Sequence, residues 1–141
     1  MGNRTFAIIK PDAVRNGDTG KIYDRIISAR FNILGAKLIK MSLSQAQEFY
    51  SMHKSKPFYK ELTEFMSSGQ SMVLALEKDN AVSEWRKTIG TTNPKEADKG
   101  TIRRDFAASI GENAVHGSDS DANAKKEIAF FFSVSELITN H

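Results

Sequence analysis

The sequence predicts an α/β sandwich of the ferredoxin-like kind, a four-stranded antiparallel sheet in βαββαβ order with extra helices. Three observations predict it. Short apolar runs alternate with stretches of helical periodicity along the whole chain. The length, 141 residues and 15.7 kDa, suits a single domain over 1–141, and surface scaling has such a domain bury about two-thirds of its extended surface. Cysteine is absent, so no disulfide framework or thiolate metal site substitutes for a core.

The run 5–10, Thr-Phe-Ala-Ile-Ile-Lys, reads as a buried strand that Pro11 stops. Asn16-Gly17-Asp18 is turn chemistry, after which Asp18 or Thr19 can cap a helix. Over 21–30, Ile22, Ile26, Ile27 and Ala29 keep helical spacing. Gly35 precedes a second strand over 36–41. Ser44 is the expected cap of a helix reaching about 53, with Ala46, Phe49 and Tyr50 on one side. Pro57 suits the first turn of another helix, which carries Phe58, Leu62, Phe65 and Met66 and ends at Ser67-Ser68-Gly69. A third strand over 72–76 is followed by a helix over 80–89, capped by Asp79 and closed by Gly90.

Residues 91–113 carry no strong periodicity beyond one turn at about 102–109. A connection that long is more often functional than idle. Ala114-Val115 is a short apolar stretch, and His116-Gly117-Ser118-Asp119 a polar turn. Ser120 caps a last helix through Ala124, Ile128 and Phe131, with one helical turn after Ser133. Helices are expected over one face of the sheet.

Lysine and arginine total 20 against 17 acidic residues, a net charge of +3 with pI ≈ 9.2, and the signs are interspersed. That balance permits an anionic ligand and demands no polyanion. The longest apolar runs, 72–76 and 128–132, are five residues each, too short to span a bilayer. Met1-Gly2-Asn3-Arg4-Thr5 has no charged-then-apolar pattern, and a cytoplasmic protein is expected. No G-x-x-x-x-G-K-[ST] occurs, since Gly17-Asp18-Thr19-Gly20-Lys21 has the wrong spacing, and neither G-x-G-x-x-G nor H-E-x-x-H is present. A phosphate would be handled without a glycine cradle.

The remaining candidates for chemistry are His116, flanked by Asn113 and Gly117-Ser118-Asp119, together with Lys10, Arg86, Arg103 and Arg104. Of three histidines, His141 is the last residue and His53 sits on an expected helix as a surface or packing residue. Beside His116, glycine lets a ligand approach and polar neighbours can orient the ring. The helix starting near Ser120 offers Glu127 as one orienter, and a carboxylate on one ring nitrogen leaves the other free as a nucleophile. Arg86 and Arg103 bracket the long loop; each either clamps phosphate oxygens in bidentate fashion or is simply solvated. On the residues alone Tyr50, Phe58 and the run 130–132 read as core, and Asp12 and Asp119 read as turn caps as readily as site residues.

Several motifs together resemble one family. Asn113-Ala114-Val115-His116-Gly117-Ser118-Asp119 is similar to the active-site signature of the nucleoside diphosphate kinases, and Ile9-Lys10-Pro11-Asp12-Ala13 to their first-strand motif. Lys56-Pro57-Phe58-Tyr59, Phe65-Met66-Ser67-Ser68-Gly69, Thr92-Asn93-Pro94 and Gly100-Thr101-Ile102-Arg103 follow in the family's order, over about residues 3–135. The resemblance implies transfer of the terminal phosphate of a nucleoside triphosphate, typically ATP, to a nucleoside diphosphate. His116 would carry the phosphate in a ping-pong scheme.

It further implies that Glu127 holds the His116 ring with Ser118 bonded to Glu127, and that Tyr50 sits beside the transferred group. Lys10 and Asn113 would contact ribose hydroxyls or nearby phosphate oxygens. Arg86, Thr92 and Arg103 would hold the phosphates together with Mg²⁺, which is carried mainly by the nucleotide and needs no carboxylate cage. Phe58 would stack on the base with Leu62 alongside, and a face-on contact explains broad base specificity. The implied assembly is a homo-oligomer, a tetramer or hexamer. Gln70 stands where the family usually has proline, and Lys99 and Arg104 where it has small, apolar or proline residues. The competing reading is a ferredoxin-like nucleic-acid or ligand-binding module without catalysis. Nucleic acid is not expected as a partner, because the basic aromatic strand sequence of RNA-recognition domains is absent.

Overall fold

The computed structural model describes residues 2–139, so His141 lies outside the described residues. In chain order the elements are β1 (Arg4–Ile9), α1 (Pro11–Arg15), α2 (Thr19–Ser28), β2 (Asn32–Lys40), α3 (Leu43–Phe49), α4 (Tyr59–Met66), β3 (Gln70–Glu77), α5 (Ala81–Ile89), α6 (Ile102–Phe106), β4 (Val115–Gly117) and α7 (Asp121–Phe131). Single 3₁₀ turns add Ser51–His53 and Val134–Glu136. The strands form one sheet in the order β2-β3-β1-β4, antiparallel at every pairing. The ferredoxin-like class therefore holds: β1, α2, β2, β3, α5 and β4 trace βαββαβ, with α1, α3, α4, α6 and α7 as additions.

Helices cover both faces of the sheet, where one covered face was expected. Ala7 and Ile9 of β1, with Leu74, Leu76 and Val115, pack against Ile22 and Ile26 of α2, Trp85 of α5 and Ile102 of α6. Phe6 and Ile8, with Leu34, Val73 and Ala75, pack against Ala46 of α3, Met66 of α4, Ile128 of α7 and Tyr50. The cause is legible in β1 itself. Phe6, Ala7, Ile8 and Ile9 are apolar at consecutive positions, so each pleat direction needs its own cover.

Element ends moved where local bonds decide them. Ser42, not Ser44, caps α3: its Oγ accepts from Gln45 N at 3.1 Å and its own N–H donates to Gln45 Oε1 at 2.9 Å, a reciprocal box that outcompetes a lone serine. The helix ends at Phe49, short of 53. Asp79 does not cap α5; Asn80 occupies that position at φ 56 with no side-chain bond. Pro57 precedes α4, while Pro11 both ends β1 and opens α1. β2 starts earlier than expected and absorbs Gly35 beside a register shift. A Cβ there would come within 2.9 Å of Phe132. Ser120 caps α7 as predicted, accepting from Asn123 N at 3.1 Å. His116 lies on β4 rather than in a turn, because Val115, His116 and Gly117 pair with Ile9, Ile8 and Ala7.

Candidate active site

The pairing of β4 with β1 sets the geometry. Residues opposite one another share a face, so His116 points to the side of Ile8 and into the cluster of Phe6, Phe49 and Tyr50. Ring centroids of Phe49, Phe6 and Tyr50 lie 5.6, 6.0 and 6.3 Å from the imidazole, each at a steep angle. The imidazole Nε2 is 2.9 Å from Glu127 Oε1, and Ser118 Oγ donates to the same oxygen at 2.7 Å. A carboxylate acceptor places the proton on Nε2 and leaves the Nδ1 lone pair available. Among the described residues Nδ1 has no hydrogen-bond partner. The His116 side chain retains 17% exposure.

Glu127 reaches His116 because Ser120 fixes where α7 begins, which puts Glu127 on the second turn, facing back toward β4. Tyr50 stands at the end of α3, buried, with its hydroxyl unpartnered. Burial and the nearby Glu127 charge push the phenol above its ordinary range and keep it neutral. From the opposite face the Trp85 indole N–H donates to the His116 carbonyl at 3.1 Å. A Cβ on Gly117 would lie 2.7 Å from the Trp85 ring, so glycine lets the strand and α5 approach.

Immediately before β4 the backbone makes a rare turn. Val115 N–H donates to Asn113 C=O at 2.8 Å, across Ala114 at φ 70, the uncommon hand of a γ-turn that costs a non-glycine residue about 1–3 kcal/mol. Its groups are all held. Lys10 N–H donates to Ala114 C=O at 2.8 Å, and Ala114 N–H donates to Asp12 Oδ2 at 3.1 Å. Arg103 donates from Nε to the Asn113 carbonyl at 3.3 Å, from Nη1 to Gly90 at 3.0 Å and from Nη2 to Val115 at 2.9 Å. One guanidinium thus joins the two ends of the long loop and has two of its five N–H groups left over.

A cavity of about 590 Å³ is lined by buried Lys10 and Asn113 together with Phe58, Leu62, Phe65, Thr92, Ile110 and Gly111. Lys10 Nζ donates to Asn113 Oδ1 at 2.8 Å. Phe58 is 48% exposed and Ile110 59%, and His53 packs its ring 5.6 Å from Phe58. A second cavity, about 460 Å³, is lined by Arg86, Arg103 and Thr101 and shares Thr92 with the first. Lys10 is lowered to about 8 by burial and by the charge of Arg103, with Asp12 pulling the other way. Arg103 is lowered to about 10 by burial and by Arg86. Arg103 thus lies close enough to lower Lys10, and Arg86 close enough to lower Arg103, an arrangement suited to an anion.

The residues singled out in the sequence fall into linked groups. His116, Ser118, Glu127 and Tyr50 form one; Lys10, Asn113, Phe58, Leu62 and Thr92 line the larger cavity; Arg86 and Arg103 line the smaller, and Arg103 ties the groups through Asn113 and Val115. Arg103 spends its N–H groups mainly on carbonyls rather than presenting a free fork. Arg104 turns to the Ala97 carbonyl at 2.9 Å. Sequence reasoning did not single out Ile110, Trp85 or the backbone bond of Asp12; the Trp85 bond to His116 spans 31 positions and that of Asp12 to Ala114 spans 102. Among the described residues no three His, Asp or Glu side chains gather to hold a metal ion. Thr92 is common to the cavity with Lys10 and Asn113 and to that with Arg86 and Arg103; such a set suits phosphate oxygens, which would themselves be the ligands of a hard divalent cation.

Comparison with known proteins shows the family. The family model described as nucleoside diphosphate kinase matches residues 3–137. A nucleoside diphosphate kinase of Geotalea uraniireducens is 53% identical over 135 residues, 96% of this chain and 98% of that protein. One of Campylobacter fetus is 56% identical over 134 residues, 95% of this chain and 98% of its own length. Among solved structures, the nucleoside diphosphate kinase of Aquifex aeolicus superposes with TM-score 0.94 at 42% identity, covering 96% of this chain and 99% of that one. The halophilic enzyme of Halobacterium salinarum, solved in complex with CDP, gives TM-score 0.95 at 33% identity, covering 100% and 94%.

Proposed function

The chain belongs to the nucleoside diphosphate kinase family of phosphotransferases, and we propose that it moves the γ-phosphate of a nucleoside triphosphate, typically ATP, to a nucleoside diphosphate through His116. The Nδ1 lone pair attacks the γ-phosphorus. The bond from that phosphorus to the β–γ bridging oxygen breaks, and the nucleoside diphosphate leaves with the electron pair on that oxygen. The positive charge gained by the ring is met at Nε2–H by Glu127, which Ser118 holds in place. A second nucleoside diphosphate then takes the phosphoryl group by the reverse step and returns the lone pair to Nδ1.

Lys10, Arg86, Thr92 and Arg103 bind phosphate oxygens and the developing charge, Asn113 positions Lys10 and meets the ribose or phosphate, and neutral Tyr50 donates beside the transferred group. A phosphate-bound Mg²⁺ supplies charge neutralisation across the phosphates. Phe58, Leu62 and Ile110 take the base by its faces, so purines and pyrimidines are both accepted. The CDP bound by the Halobacterium salinarum relative supports a nucleotide in this cavity. The family resemblance supports self-association as a tetramer or hexamer in the cytoplasm, for which exposed Ile27 and Leu38 supply apolar surface.

The observation that supports the reading most is the imidazole tethered at Nε2, open at Nδ1, with Lys10 and Arg103 anchored on the turn before it. Incubation with γ-labelled ATP and Mg²⁺ is expected to give acid-labile, base-stable label on His116. His116→Ala, folded by circular dichroism, is expected to lose label and about 10⁴-fold or more of turnover. Label in that variant, or turnover within tenfold of the parent, overturns the assignment.

A further inference from the structure

The γ-turn at Ala114 stands between the two functional arms of the site, and Asp12 is the one side chain that holds its central N–H. Asp12 belongs to α1 and is 2% exposed. Its Oδ2 accepts from Ala114 N–H, and its Oδ1 is buried without a partner. Such a group is expensive to retain unless it has a task, since an isosteric apolar side chain would carry no unpaired oxygen. Asn113, on one side of the turn, receives Lys10. His116, two residues after it on the other side, donates to Glu127. A turn of this hand at a non-glycine residue persists only where its surroundings over-determine it.

Resting on the phosphotransfer reading above, we propose that Asp12 is a positioning residue: its carboxylate pins Ala114 in the left-handed conformation, fixing Asn113 relative to His116, and places a negative charge beside Lys10. The two roles are separable. The first needs only an oxygen acceptor; the second needs the charge. The charged groups around Lys10 are Arg103 of α6, which opposes its protonation, and Asp12 of α1, which favours it. Glu61 of α4 and Glu112 of the loop line the same cavity.

Three variants of the full chain test this. Asp12→Ala, confirmed folded by its melting curve, is expected to lose at least tenfold in kcat at pH 7. Adding Ala114→Gly to it removes the left-handed penalty and is expected to recover at least threefold. Asp12→Asn keeps an oxygen for Ala114 N–H and is expected to retain most activity at pH 7, with the alkaline limb of kcat/KM moved at least half a pH unit lower. A wild-type chain that labels nowhere with ATP overturns the phosphohistidine reading and this proposal with it. A wild-type chain labelled at His116, with Asp12→Ala within twofold of it, overturns this proposal alone. So does a loss that glycine does not rescue together with an unmoved Asp12→Asn profile, which marks Asp12 as structural only.

Discussion

The two ends of the larger cavity are built to opposite specifications. At the inner end Lys10 and Asn113 are buried and bonded to each other, and Arg103 of the neighbouring cavity holds the carbonyls of Asn113 and Val115. At the outer end Phe58 and Ile110 are half-exposed apolar groups, with no polar bond between them to fix a geometry. A phosphoryl group has one geometry whatever nucleotide carries it, so its contacts can be fixed before binding at no loss of range. A base comes in several outlines, and a site that fixed hydrogen bonds to one would reject the others. Rigidity therefore sits where the ligands are alike, and looseness where they differ.

After loss of His116 itself, the largest effect should follow from loosening its anchor, the Glu127 carboxylate, beyond the rigid end. Glu127→Gln leaves an amide oxygen able to accept from Nε2–H but removes the charge that offsets a phosphorylated, positively charged ring. About 10–100-fold is expected in the rate of His116 phosphorylation, the usual scale for removing an orienting carboxylate, with nucleotide KM changed by less than threefold. Rapid-quench measurement of the phosphoenzyme burst separates the two. A change in KM alone would place Glu127 with the binding groups and break the contrast.

Much of this division can be read in the chain, and the unread part has a common cause. The Ser120 cap and the phase of α7 make Glu127 one candidate orienter by local rules of the helix, while the β4–β1 pairing and the packing of α7 on the sheet, which bring it to His116, are tertiary. His116 was expected in a turn because Gly117, Ser118 and Asp119 carry turn chemistry; pairing with Ile8 across the sheet overrode it. Both covered faces were implied by consecutive apolar residues in β1, a pattern outweighed by the βαββαβ template. Ile110 lies in an aperiodic loop whose course is set by Arg103 binding carbonyls at Gly90, Asn113 and Val115. No sequence periodicity encodes a guanidinium bound to distant carbonyls.

A second effect sharpens the contrast by pH. Lys10 must be charged to hold a phosphate, and its buried ammonium is already lowered to about 8. Activity in kcat/KM should fall about tenfold per pH unit above that value, a limb that belongs to the free enzyme. Stability should move the other way. A lysine lowered on folding binds fewer protons in the native chain than in the unfolded one between about 8 and its ordinary value near 10.5. Its contribution to stability therefore rises with pH in that window. Tyr50, raised on folding, lowers stability only above the ordinary phenol value near 10.0, and Arg103 is lowered to about 10, so thermal melts from pH 8 to 9 isolate Lys10. A limb lying near 10 would mean that Lys10 is solvated and the inner end less closed than its burial implies.

The smallest effects belong to the outer lip. Phe58→Ala removes a stacking face and should weaken every nucleotide by about 1–3 kcal/mol, whereas Ile110→Ala, trimming a side chain that is 59% exposed, should cost about 1 kcal/mol or less. The informative quantity is the ratio between bases rather than either loss. Contact through faces scales with ring area, so a purine should lose slightly more than a pyrimidine in both variants, and the ratio of their KM changes should stay within about threefold, less than 1 kcal/mol of discrimination. Steady-state KM for ADP, GDP, CDP and UDP with one common donor measures it. A tenfold divergence confined to one base would mean that the lip reads a hydrogen-bonding edge, with Glu61 or Glu112 of the same cavity as the groups that read it, and the division of labour between the two ends would have to be redrawn.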